Sequence, residues 1–402
     1  MKNFKLSRKI MMGAAFACAL SVSLTSCDED EDPVVIDVPV SGNTVITGNL
    51  ITNATWTKNN IYELRGRVSV ISGVTLTIEA GTVIKAAAGT GANSTALVIA
   101  RGGNLQANGT SAEPIIFTSV ADQIVSGQIA SPNLTATTNG LWGGLIILGN
   151  APISASTSPV QIEGIPPADQ NGLYGGTNAT DNSGVISYIS IRHGGANIGE
   201  GNEINGLTLG GVGSGTVING VEIVGNQDDG IEWFGGTVDV TNALVWNAGD
   251  DGIDTDQAWS GTLDNFIVVT AGDNSFELDG PEGSANGTHT IKNGTVVASD
   301  TVNNRISDDL INTDLNSMVI LENIHITGIA VGQQINRTTD NPSVTFTNIT
   351  LDVLSANVGN YINDAASKSG VAASTTANAT GKANVSAFTW TWAATAGGLA
   401  GL

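Results

Sequence analysis

Charge, aromatic side chains and cysteine are all in short supply here. Only 13% of the 402 residues are charged and 5% are aromatic. A chain this poor in charge cannot cover many solvated helices. Its two cysteines, Cys18 and Cys27, both fall near the start, so the bulk of the chain has no disulfide and no Cys-based metal site. The three histidines (His193, His289 and His325) are far apart in sequence, and a His-based metal site is not expected. Basic residues number 15 against 37 acidic ones. Such a surface repels phosphate backbones, so no nucleic acid partner is expected, and divalent cations or cationic partners suit it better.

What the sequence does have begins with an export signal. Met1–Lys9 is basic, and residues 10–24 form an apolar core too short for a stable membrane span. The core ends in Leu24-Thr25-Ser26-Cys27, which resembles the bacterial lipobox. That resemblance implies a lipoprotein signal peptide over 1–26 and lipidation of Cys27. Asp28-Glu-Asp-Glu-Asp32 follows, a self-repelling run. Residues 27–44 are therefore read as a lipidated, acidic, disordered tether. The run resembles the surface-export signal of some Gram-negative lipoproteins, which implies an outer-membrane lipoprotein displayed on the cell surface. Residence on the periplasmic face is the alternative.

Beyond residue 40 helical periodicity is almost absent, and short alternating apolar runs recur between Gly and Asn. The segment 216–280 repeats. Asp228-Asp-Gly-Ile-Glu232 returns as Asp250-Asp-Gly-Ile-Asp254 and, weakened, as Asp273-Asn-Ser-Phe-Glu277. An offset of 22 to 23 residues with strand-type alternation points to solenoid coils. The leucine-rich pattern is missing and propeller blades are longer, which leaves an all-β, parallel β-helix solenoid over 45–392 as a single domain. Residues 366–382 read as a loop. Phe388-Thr-Trp-Thr-Trp392 reads as a final strand capping the last coil, and 393–402 as a C-terminal tail.

The blocks Leu141-Trp-Gly-Gly-Leu-Ile-Ile-Leu-Gly-Asn-Ala-Pro152, Tyr188-Ile-Ser-Ile-Arg-His-Gly-Gly195 and Glu232-Trp-Phe-Gly-Gly236 resemble those of a family of bacterial right-handed parallel β-helix lipoproteins. The resemblance covers most of residues 45–390 and implies the fold. That fold is shared with pectin-degrading hydrolases and lyases.

On such coils equivalent residues stack about 4.8 Å apart and alternate in and out. If Ile231, Ile253 and Phe276 point inward, so do Asp229, Asp251 and Asn274, with Asn205 one coil earlier; these form an expected structural ladder. Asp228, Glu232, Asp250, Asp254, Asp256, Asp273, Glu277 and Asp279 would then share the outward face. Stacked like charges need protons or cations, and a hard oxygen-loving ion such as Ca2+ suits them as the expected cofactor. Trp259 and Phe234 are placed as rings beside the acids, able to bind a sugar face, while Trp233 and Trp246 are expected to pack inward or between coils.

The paired aspartates also look like the motifs of polygalacturonase-type glycoside hydrolases. In that comparison Asp229, Asp250, Asp251 and Arg305 are the catalytic candidates. The histidine those enzymes need is replaced by Gly272-Asp273-Asn274, and Arg305-Ile306-Ser307 lacks the lysine of their basic motif. A Ca-dependent polysaccharide lyase would need a basic group, for which Lys292 and Arg305 are the nearest in sequence. The expected function is therefore non-catalytic. An acidic face would bind a divalent cation and an acidic or neutral polysaccharide or another surface ligand. A β-helix enzyme and a structural or adhesive surface protein are the alternatives.

Overall fold

The computed structural model describes residues 43–89, 91–197, 204–300, 305–337, 343–363 and 369–402. The expected signal peptide, Cys27 and the acidic run lie outside the described residues. Asn43 and Thr44, expected in the tether, open the first strand, Asn43–Leu50.

Among the described residues, 23 strands join into one sheet system whose pairings are parallel. From residue 184 onward each coil contributes one long and one short strand, and each strand pairs with its counterpart one coil later. The long strands are Gly184–Arg192, Val217–Val224, Val240–Trp246, Thr262–Val269, His289–Val297, Val319–Thr327 and Val344–Leu351. The short ones run from Leu145–Leu148 through Leu207–Gly210, Ile231–Phe234, Ile253–Asp256, Phe276–Leu278 and Ile311–Thr313 to Ile335–Arg337. Parallel strands joined by crossovers wind right-handed, and the result is the right-handed parallel β-helix the sequence predicts.

Inside, identical positions stack. Leu207 is in register with Ile231, Ile231 with Ile253, and Ile253 with Phe276, and all four are fully buried. Burying each such side chain contributes about 1.5–3 kcal/mol. Each coil alone could not exclude water from both of its ends, so the coils stabilise one another.

Each long strand bends at one residue with a left-handed backbone. That residue is Asn at 242, 265, 293, 323 and 348, glycine at 220 and tyrosine at 188. The asparagines form a ladder. Asn242 Nδ2 donates to Asn219 Oδ1 at 2.6 Å, Asn323 Nδ2 to Asn293 Oδ1 at 3.1 Å, and Asn348 Nδ2 to Asn323 Oδ1 at 2.8 Å. Asparagine tolerates this backbone better than other side chains and its amide satisfies its neighbour. Gly294, one residue past a bend, has a different duty: a Cβ there would lie 1.9 Å from the ring of Phe266.

Two excursions leave the coils. Residues 121–140 lie over the corners at His193, Gly225 and Asn247; His193 Nδ1 meets the Thr138 carbonyl at 2.7 Å and Asn247 Nδ2 donates to that of Ala136 at 3.2 Å. Residues 150–176 cover part of the short-strand sheet. Their Ile153, Ile162, Ile165 and Tyr174 pack with Phe234 in a second apolar cluster.

The C-terminal expectations need correcting. Val371–Ala373, inside the expected loop, is a strand in register with Ile349–Leu351. Residues 388–392 are not a strand and do not cap the last coil. A 3-10 turn, Val385–Phe388, and one helical turn, Trp392–Thr395, run back along the outside of the long-strand sheet. The cause is apolar surface on that outer face. Leu244, Ile267 and Val269 point outward and are buried by Ala383, Phe388, Ala393 and Leu399. The expected tail is thus a packed strap. Beneath it Arg192 and Glu222 are buried, 3.7 Å apart, with the Trp392 ring 4.9 Å from the guanidinium and the Ala393 N–H on Glu222 at 2.9 Å.

Candidate metal centre

The acids enter where each coil turns into its short strand. After the paired aspartates the chain must pass close to the next coil, and glycine permits it. A Cβ on Gly252 would lie 2.6 Å from Val268 Cγ1 and 2.8 Å from the Ser275 carbonyl. Gly230 N–H donates to the Asp251 carbonyl at 2.9 Å and Gly252 N–H to that of Asn274 at 3.0 Å, so successive turns stack in register.

Three groups of carboxylates have ligand oxygens within 4.8 Å of one another: Asp228, Asp229 and Asp250; Asp229, Glu232 and Asp254; and Asp250, Asp251 and Asp273. Asp229 belongs to two groups and so does Asp250, which makes the three a chain along the solenoid axis. The division of the aspartates into an inward ladder and an outward face is therefore corrected. Asp229 and Asp251 are buried ladder members: Asp251 N–H donates to Asp229 Oδ1 and Asn274 N–H to Asp251 Oδ1. Their carboxylates also stand within 4.8 Å of outer acids.

Among the outer acids, Asp250 is exposed, Asp228, Asp254, Asp256, Asp273, Glu277 and Asp279 are half-buried, and Glu232 is buried. Glu232, Asp254 and Glu277 occupy one register column. Asp256, Glu277 and Asp279 belong to none of the three groups and extend the row along the strand.

At an effective dielectric of about 20, two unit charges about 4.8 Å apart repel by about 3.5 kcal/mol. Burial, followed by repulsion from Asp254, Asp228 and Asp250, holds the Asp229 carboxyl well above the usual carboxylate range. Burial and Asp254, then Glu163, do the same to Glu232. Burial and Asp256 do so to Asp254. Burial and a hydrogen bond to Glu277 push Asp251 up to about 10. Burial, then Asp279, raises Asp256 to about 7, and burial, then Asp314, raises Asp279 to about 6. The charges acting most strongly on these groups are other carboxylates, so each proton retained is one that a cation could replace. An all-oxygen donor set suits a hard divalent ion.

Several contributors were not signalled by the repeat. Glu163, in the 150–176 excursion, meets Asn205 Nδ2 at 3.2 Å. Glu282, Asp308 and Asp314 add charge from later turns. Asp309 continues the ladder by accepting from Gln334 N–H at 3.2 Å. Asn205, a ladder member one coil earlier, is only 1% exposed and reaches Glu232 Oε2 with Nδ2, while its Oδ1 is buried without a hydrogen-bond partner. An unsatisfied buried acceptor costs about 1–3 kcal/mol.

The aromatic shelf is overturned. Trp259 is 1% exposed, stacked between Trp233 at 4.6 Å and His289 at 4.9 Å, with Nε1 on the Val238 carbonyl at 3.0 Å. Phe234 is 7% exposed beneath Tyr174 and the isoleucines of the excursion. Neither ring can present a face to a ligand. Trp233 is buried in the core, as expected, and Trp246 is half-buried against Trp392.

The basic candidates stand apart from the carboxylates in role. Lys292 lies in the long-strand sheet, 3.6 Å from Asp264. Arg305 Nη2 donates to the carbonyls of Ala248 at 2.8 Å and Thr270 at 3.2 Å, the corners that lead into the acidic turns.

With coil, register and acid row in place, comparison with known proteins adds the family. A pectate-lyase-like β-helix domain matches residues 48–396. The chain belongs to that family. No curated protein and no solved structure matches it. Membership of the pectate-lyase-like β-helix family agrees with the parallel coils and with a polysaccharide-related role. The acidic turns of this pectate-lyase-like β-helix lie inside the matched span.

Proposed function

We propose that the protein is a surface-displayed lipoprotein, anchored in the outer membrane through lipid on Cys27. In this reading its acidic row holds a divalent cation, calcium in preference, and through it an acidic polysaccharide that is bound without being cleaved. One observation carries the reading: three carboxylate groups on successive coils are linked through Asp229 and Asp250, within 4.8 Å in each group. Calcium takes six to eight oxygens in flexible geometry, which suits carboxylates spread over several turns better than the strict octahedron of magnesium. With Trp259 and Phe234 buried, ring stacking on a neutral sugar loses its support. A carboxylated sugar bridged to the protein by the cation keeps it.

A second reading, a polysaccharide lyase or polygalacturonase-like hydrolase, is favoured by Asp251, whose carboxyl is raised to about 10. An acid that keeps its proton is half of an acid–base pair. Against it, Arg305 and Lys292 are engaged elsewhere.

The test is calorimetric titration of the protein with Ca2+, then polygalacturonate binding with calcium and with chelator, scored also for cleavage. Calcium-dependent binding without new sugar ends is expected. Unsaturated or reducing ends would move the assignment to the enzyme, and no calcium binding would leave a structural or adhesive role. Surface proteolysis of intact cells and a Cys27→Ser variant test the display and the anchor.

A further inference from the structure

The strap closes over a buried cluster of charge far from the acid row in role. Asp122, Arg192, His193 and Glu222 are all buried there. The Trp392 ring covers two of them, with the Arg192 guanidinium 4.9 Å and the His193 ring 5.8 Å from its centre. Two carboxylates, Asp122 and Glu222, face two cations. One is Arg192; the other is Lys85, at the rim, whose Nζ donates to the Asp122 carbonyl at 2.6 Å. The charges balance only while His193 is neutral.

The ring is placed to stay so. Its Nδ1 lies 2.7 Å from the Thr138 carbonyl. A carbonyl oxygen can only accept, so Nδ1 carries the proton and Nε2 is the bare nitrogen. Nε2 is buried without a hydrogen-bond partner. The carboxylate oxygen facing it, Asp122 Oδ2, is 3.9 Å away and already accepts from Thr118 Oγ1, while Oδ1 accepts from Ile124 N–H and Ser131 Oγ. A proton on Nε2 would make a third cation beside Arg192, with that carboxylate beyond hydrogen-bond reach. Burial, with Arg192 adding to it and the Thr138 carbonyl and Asp122 opposing, holds the imidazole below its usual range.

We propose that protonation of His193 releases the Trp392 end of the strap, which makes the strap an acid-sensitive latch over the long-strand sheet. Two segments cover the ring, and the strap is the one that yields. The 121–140 excursion meets His193 through the Thr138 carbonyl, a contact that a charged donor strengthens. The strap meets it with Trp392, whose indole supplies no accepting atom. The sign follows from the proton count. A free imidazole titrates near about 6.5, and the closed state holds His193 lower. Closure is therefore fully favoured above about pH 6.5 and loses stability as pH falls from there towards the folded value. The acid row responds in the opposite sense, so the release is read locally and not from the melting temperature.

The experiment is hydrogen exchange of the full-length protein at about pH 7.5 and about pH 5, corrected for the intrinsic pH dependence, in the parent and in His193→Asn. Asparagine tolerates the left-handed backbone of His193, φ 61°, and at another such corner Asn247 already donates to the Ala136 carbonyl. Protection of residues 385–402 is expected to fall about tenfold at the lower pH in the parent and to hold in the variant. Residues 121–140 should stay protected in both. A strap that ignores pH in the parent, or an excursion that opens in its place, overturns the proposal. So does an equal loss in His193→Asn, which would trace the release to the carboxylates. Should that variant fail to fold, exchange at the imidazole C2–H of the parent decides: a His193 that titrates below about 6.5 and in step with strap opening supports the latch, and one at or above about 6.5 overturns it.

Discussion

The backbone N–H of Asp251 donates to Asp229 Oδ1 at 2.9 Å, one coil away. One carboxylate thus serves as a rung of the structural ladder and as a member of two acid groups. The two duties separate by substitution. Asp229→Asn keeps an oxygen for the rung and replaces a carboxyl whose ionisation burial and its neighbours oppose with a neutral amide, so without divalent ions at pH 7 it should be at least as stable as the parent. Asp229→Ala loses the rung and leaves a buried donor, at a cost of about 1–3 kcal/mol. Urea unfolding in chelator measures both, and both should bind calcium more weakly than the parent.

The raised carboxyls fix the sign of the pH dependence. An aspartate in the unfolded chain titrates near about 3.9. In the folded protein Asp279 titrates at about 6, Asp256 at about 7 and Asp251 at about 10. Between the unfolded and folded values the native state binds more protons, so stability falls as pH rises. The favourable contribution is complete below about pH 4. It is lost progressively through pH 6 and 7 and, for Asp251, on towards 10. The melting temperature in chelator should therefore drop between pH 5 and pH 8, and millimolar calcium should flatten the drop. A melting temperature that climbs over that interval in chelator would show that the acids are not held protonated.

The coils were legible because the repeat places Ile231, Ile253 and Phe276 at one register, and a slip by one residue would expose them all. The acid row was legible for the same reason, since Asp228, Asp250 and Asp273 ride on those coils. What covers the coils was not. Glu163 lies 42 residues before Asn205 in an excursion with no repeat, and no periodicity links them. Trp259 looks like a turn residue until His289, from the next coil, stacks on it. The asparagine ladder was hidden by unequal coil lengths. Its rungs are 23 residues apart at Asn219 and Asn242 but 30 apart at Asn293 and Asn323. An Asn near the middle of the alternating apolar runs from residue 217 onward was the signal available.

Trp259 tests the corrected role of the aromatics. Its ring is stacked on both faces and its N–H is bonded, so Trp259→Ala should cost about 3–5 kcal/mol in chemical unfolding. A ligand platform would instead lose polysaccharide affinity at unchanged stability. Gly294→Ala is the companion: with Phe266 so near the added Cβ, overpacking should cost about 1–3 kcal/mol.

The strap gives the last test, because it is remote in role from the acid row. It covers outward Leu244, Ile267 and Val269, and it closes over the Arg192–Glu222 pair with Trp392 and the Ala393 N–H. Glu222 also accepts from Ser190 Oγ at 2.6 Å, and Arg192 Nε donates to that same hydroxyl at 2.7 Å. Glu222→Leu would leave a buried guanidinium without its partner, at a cost of about 3–5 kcal/mol. Trp392→Ala should be milder, since the pair survives and only its cover thins. Chain termination after Asn384 should expose the apolar strip, giving dye binding and self-association at concentrations where the parent stays monodisperse. The acidic turns lead into the short strands, whereas the strap lies on the long ones. Calcium affinity in Trp392→Ala should therefore match the parent, and a loss of affinity there would mean that the two faces are coupled through the coils.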